Sequence, residues 1–96
     1  MRPSEAIARR LDEVRAVIAR YPVSNPRVFG SVARGEDDER SDFDLLVDPL
    51  ENTSLFDLAG LELELSDLLG VRVDVLTPGG IKPRIADAVH RDARPL

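Results

Sequence analysis

Apolar residues Ile7, Leu11, Val14 and Ile18 recur at spacings of four, three and four, which lines them along one side of an α-helix. Ser4 is placed to cap that helix and Tyr21-Pro22 to end it. The period then changes. Arg27, Val28 and Phe29 read as a short strand running into Gly30 and a brief helical turn that begins near Ser31. A polar stretch continues to Arg40, and Ser41 is suited to closing this loop by bonding nearby backbone. Phe43, Leu45 and Val47 then alternate with Asp42 and Asp44 in a second strand stopped by Pro49. Thr53 or Ser54 caps a helix in which Leu55, Leu58, Ala59, Leu61, Leu65, Leu68 and Leu69 form a broad apolar stripe, with Gly70 as its C-terminal cap. This stripe reads first as core, with some surplus width for a partner. Val71, Val73 and Val75 alternate with Arg72 and Asp74 in a third strand, and Thr77-Pro78-Gly79-Gly80 turns the chain out of it. Pro83 opens a last helix through His90.

This order of helices and strands predicts an α/β (α+β) sandwich: a small mixed β-sheet with helices on one face and the aspartates on the other. The pattern does not give the strand order. The 96 residues make one small domain, 1–96, with room for a single core. The chain has no cysteine and one histidine, which excludes disulfides and thiolate metal sites and disfavours zinc. His90 reads as a cation at a helix C-terminus rather than as a catalytic base. No segment approaches the ~20 apolar residues of a membrane span, and the charged start does not resemble a secretion signal. The expected compartment is the cytoplasm. The net charge of −5 argues against general nucleic-acid binding, which needs a basic footprint. Arg2, Arg9, Arg10, Arg15 and Arg20 crowd the first helix as its solvated face, and Glu36, Asp37, Asp38 and Glu39 crowd the loop before the aspartate pair.

Those aspartates carry the chemistry. Residues two apart on a strand share a face, roughly 6 to 7 Å apart, so Asp42 and Asp44 converge while Phe43, Leu45 and Val47 bury the other side. Asp74 alternates with valines in the same way. If its strand neighbours that of Asp44, three carboxylates meet on one open face. Carboxylates this close repel unless a cation lies between them, and magnesium, which takes carboxylate and phosphate oxygens together, is the best fit. Three aspartates on one face suit a two-metal phosphoryl or nucleotidyl transfer. Gly30 and Ser31 supply a site for the phosphates: a helix start favours anions, Gly30 lets a phosphate approach the backbone, and Ser31 adds a hydroxyl. Arg34, one turn on, could grip a phosphate oxygen in a fork.

Gly30-Ser31, ten intervening residues and Asp42-Phe43-Asp44 together resemble the signature of the DNA polymerase β-like nucleotidyltransferase superfamily. The Gly-Ser-Val-Ala-Arg-Gly wording, the Ser-Asp-Phe-Asp-Leu-Leu-Val strand and the small size resemble the minimal nucleotidyltransferases, the antitoxin half of HEPN/MNT toxin–antitoxin pairs. The likeness spans about Arg27 to Ile85. It implies the nucleotidyltransferase fold, triphosphate binding by Gly30 and Ser31, metal binding by Asp42 and Asp44, and a role for Asp74 in completing the metal site and activating the attacking hydroxyl. Nothing follows Leu96, which predicts that the acceptor-holding domain of larger relatives is absent.

Two functions follow as expectations. The first is an Mg-dependent enzyme, with two ions, that transfers AMP from ATP to a tyrosine of a HEPN ribonuclease toxin and so silences it. The second is a non-catalytic antitoxin that neutralises its toxin by covering it; three like charges held together give that reading no purpose for the site. Modification of a small molecule suffers from the want of a second domain.

Overall fold

A computed structural model describes all 96 residues. Its sheet has four strands, β1 (Val23–Phe29), β2 (Phe43–Pro49), β3 (Val73–Leu76) and β4 (Arg94–Pro95), in the order β3-β2-β1-β4. β1 is antiparallel to both β2 and β4, whereas β2 and β3 run parallel. Parallel neighbours need a crossover, and α4 (Leu55–Leu69) supplies it. Ser54 caps α4 through a full capping box with Asp57, and Gly70 ends it at φ 68°, a left-handed turn that glycine adopts at little cost. Thr53 is therefore not the cap.

The alternation in β2 sets the two faces. Phe43, Leu45 and Val47 are buried in the main core with Val14, Ile18, Leu61, Leu65, Val73 and Val75, so α4 and the N-terminal helices cover one side. Leu46 points the other way and forms a small second core with Phe29 and Val89. Val89 belongs to α5 (Pro83–Asp92), so this one helix packs on the aspartate side, beyond the site. His90 lies in its last turn, as expected.

Three local expectations are corrected. The first helix is two, α1 (Pro3–Arg9) and α2 (Leu11–Ala19), broken at Arg10, whose φ of −130° and ψ of 28° are not helical. The break re-aims α1 so that Pro3, Ala6 and Ile7 are buried together. Ser4 does not cap α1: Pro3 takes the first position, and the Ser4 amide donates to Asp37 Oδ2 at 2.9 Å. Asp37, from the acidic loop and only 5 % exposed, thus replaces a local cap with a distant one, a carboxylate at the positive end of the helix. Leu55 and Ala59 lie outside the core.

β1 is longer than Arg27 to Phe29 because a bulge lets it continue past Pro26. Pairing shifts between Ser24 and Arg27, and Asn25 adopts a positive φ of 50° while its side chain donates to Asp48. The edge of β3 away from β2 is covered by α4: the Val75 amide donates to Glu62 Oε2 at 2.7 Å. β4 is held by pairing with β1 and by the Leu96 amide bonding the Pro26 carbonyl.

Candidate active site

The site sits where β1 ends and β2 and β3 begin. In register, Asp44 lies beside Phe29 on one neighbour and beside Asp74 on the other. Asp42 immediately precedes β2. The two-residue alternation and the parallel pairing therefore bring Asp42, Asp44 and Asp74 to the same end of the same face, as the sequence predicts. Asp44 is the deepest of the three. Burial, then the charges of Asp74 and Asp42, push its carboxyl up to about 6.

As the side chains stand, the three do not close into a ready-made ligand cage. The cation nearest them is Arg72, whose Nε lies 3.9 Å from both Asp42 Oδ2 and Asp74 Oδ1. Sequence reasoning missed this guanidinium, although its place between Val71 and Val73, on the face of Asp74, was a usable signal. The donor set fits a hard divalent cation: it is all oxygen, it lies at the ends of neighbouring strands, and the burial and mutual repulsion that raise Asp44 are what such an ion offsets.

Gly30 begins α3 (Gly30–Arg34), at φ 73°. A Cβ there would stand 2.3 Å from Asp44 Oδ2. The glycine thus makes room for Asp44 itself, a reason separate from the phosphate approach read in the sequence. No side chain caps α3, so its first N–H groups, those of Gly30 and Ser31 included, lack the usual internal partners. Arg34 is in the field of Asp44, whose carboxyl it lowers slightly. Its guanidinium also has carboxylate partners, Asp92 Oδ2 at 2.7 Å, which ties α3 to α5, and Glu36 Oε2 at 3.1 Å in the following loop; both raise its own pKa. A phosphate role for Arg34 thus competes with this bridge.

A small mixed sheet thus brings three aspartates together beside a glycine–serine turn. Residues 11–96 match the nucleotidyltransferase domain model, and the chain belongs to that family. It is similar to the protein adenylyltransferase MntA of Thermococcus cleftensis, 45 % identical over 73 residues that cover 76 % of this chain and 74 % of that one. A solved structure described provisionally as a minimal nucleotidyltransferase is 47 % identical and superposes with a TM-score of 0.83 over 97 % of this chain and 95 % of that chain. A toxin–antitoxin crystal structure with AMP-PNP shares the fold at a TM-score of 0.75 and 16 % identity, over 88 % of this chain and 69 % of that one. The protein is a nucleotidyltransferase.

Proposed function

We propose that the chain moves AMP from ATP to a hydroxyl of a partner protein, that the acceptor is a tyrosine of a HEPN ribonuclease toxin, and that the modification makes the chain an antitoxin. The carrying observation is the meeting of Asp42, Asp44 and Asp74 at one end of the sheet beside Gly30. Resemblance supports the donor and acceptor: the Thermococcus relative is named a protein adenylyltransferase, and the AMP-PNP structure is of a toxin–antitoxin pair.

In this reading the acceptor oxygen attacks the α-phosphorus in line, the bond to the bridging oxygen breaks, pyrophosphate leaves, and the hydroxyl proton is released. Magnesium, two ions held by Asp42 and Asp44 with Asp74 completing one site, would lower the pKa of the attacking hydroxyl and offset charge on the phosphates. The Gly30 and Ser31 amides and the Ser31 hydroxyl hold the triphosphate. Asp74, on the edge strand β3, would face the acceptor.

The test has two parts: whether a neighbouring reading frame encodes a HEPN protein, and, with that protein as the proposed toxin, intact-mass spectrometry before and after incubation with the chain and Mg·ATP. The expected result is a gain of one or more AMP units on the toxin, with RNase activity lost even after the two proteins are separated. Asp74→Asn should bind nucleotide yet transfer it ~10² to 10⁴-fold more slowly. An unchanged toxin mass, with a variant lacking both Asp42 and Asp44 still neutralising at equal stoichiometry, overturns catalysis in favour of the covering antitoxin.

A further inference from the structure

The side of α4 turned away from the sheet is apolar. Leu61, Leu65 and Leu69 face the core, and Leu63, about 200° around the helix from both Leu61 and Leu65, points outward. Phe56 is 90 % exposed, Leu55 83 % and Leu63 67 %; with Ala59, also exposed, they recur at helical spacing as one continuous stripe. Single exposed leucines are ordinary, but a contiguous stripe on the order of a few hundred Å² is the size at which soluble proteins usually show a binding site.

What surrounds the stripe says what covers it. From Ser41 to Val71 the chain has no lysine or arginine, while α4 and its approach carry Glu51, Asp57, Glu62, Glu64 and Asp67. Only Glu64 is matched by a cation, Arg20 at the C-terminal cap of α2. A stable interface needs about 800 Å² from each partner, more than the stripe supplies, so the balance must come from this acidic rim. Two copies packed through α4 would set acid against acid, which disfavours self-association.

We infer that the outer face of α4 is a docking surface for a protein partner's amphipathic helix whose apolar side is flanked by lysine or arginine. The stripe lies across the main core from Asp42, Asp44 and Asp74, so a partner seated there leaves the carboxylates open. The inference rests on the helix alone and holds whichever hydroxyl accepts the nucleotidyl group.

Two synthetic 18-residue amphipathic helices with the same leucine face, one lysine-flanked and one glutamate-flanked, test it by fluorescence anisotropy with the full chain. The lysine peptide should bind at least tenfold more tightly than the glutamate peptide and weaken as salt rises. The double variant F56S and L63S, which leaves every charge in place, should bind the lysine peptide at least tenfold more weakly than wild type. Its circular dichroism melt, expected to be unchanged because both side chains lie outside the core, separates lost docking from lost folding. Equal binding of the two peptides, or full affinity in a folded double variant, overturns the inference. So does a wild-type dimer in sedimentation velocity that the double variant abolishes, since a second copy would then be the occupant.

Discussion

Asp44 carries the site's electrostatic cost, and that cost can be measured. Its carboxyl titrates near 6 in the folded chain, against an ordinary 3.8, so between those values the folded state keeps a proton that the unfolded state has released. The resulting stabilisation is complete below about pH 4 and is lost as pH rises through 6. Asp48, lowered by Asn25 and Arg27, works in the opposite sense but below that window. Metal-free protein should therefore melt higher at pH 5 than at pH 7, by on the order of 1 kcal/mol once solvent screening is allowed for. Asp44→Asn should flatten this slope and raise the melting temperature at pH 7 while abolishing transfer; a slope unchanged in that variant would assign it to other groups. Gly30 offers a second measurement. Gly30→Ala meets both a left-handed backbone, costing about 1 to 2 kcal/mol, and the Asp44 carboxylate, whereas Gly35→Ala, at φ 71° with nothing within 4 Å of the new Cβ, meets the backbone cost alone. Both should lower the melt, and only Gly30→Ala should lose nucleotide binding and transfer. At this scale Asp42, Asp44, Asp74 and Gly30 were legible because two-residue alternation is a local property of strands. Asp37 and the Arg34–Asp92 bridge were not, since each joins segments far apart in sequence.

Elements with strong punctuation were read nearly as they stand: α4 between Ser54 and Gly70, and α5 opened by Pro83. The split between α1 and α2 has no glycine or proline to announce it, and β4 is two residues long, so tertiary packing decides both. The side taken by α5 was equally hidden, because Leu46 and Phe29 draw it across only once the sheet exists. Glu62 shows how an element is finished from outside itself. Its carboxylate accepts the Val75 amide on the outer edge of β3, and a hydrogen bond to a charged group contributes about 1.5 to 3 kcal/mol. Glu62→Ala should lower stability by an amount of that order, and the Val75 amide should exchange with deuterium much faster than in wild type. Unaltered protection there would mean that the strand edge is shielded by something other than Glu62.

For the molecule as a whole, the expected effect of Mg·ATP is a shared one, since ion and phosphates neutralise what the aspartates cannot tolerate alone. A ligand that binds only the folded state stabilises it by about 2.7 kcal/mol at a hundredfold excess over its dissociation constant. Thermal melts should rise with Mg·ATP in wild type, and rise much less when Asp42 and Asp44 are both asparagine; an equal rise in that variant would put the ligand elsewhere. The parallel pairing of Asp44 with Asp74 reaches further than this. The gap between their backbones is the pitch of a β-sheet, about 4.8 Å, fixed by peptide groups that no side-chain substitution alters. The sheet is a ruler, and the distance between the two carboxylate-bearing positions is set against it. Substitutions on the solvent-facing side of α4 and at exposed loop positions can therefore accumulate, while the spacing between Asp44 and Asp74 stays fixed by the sheet.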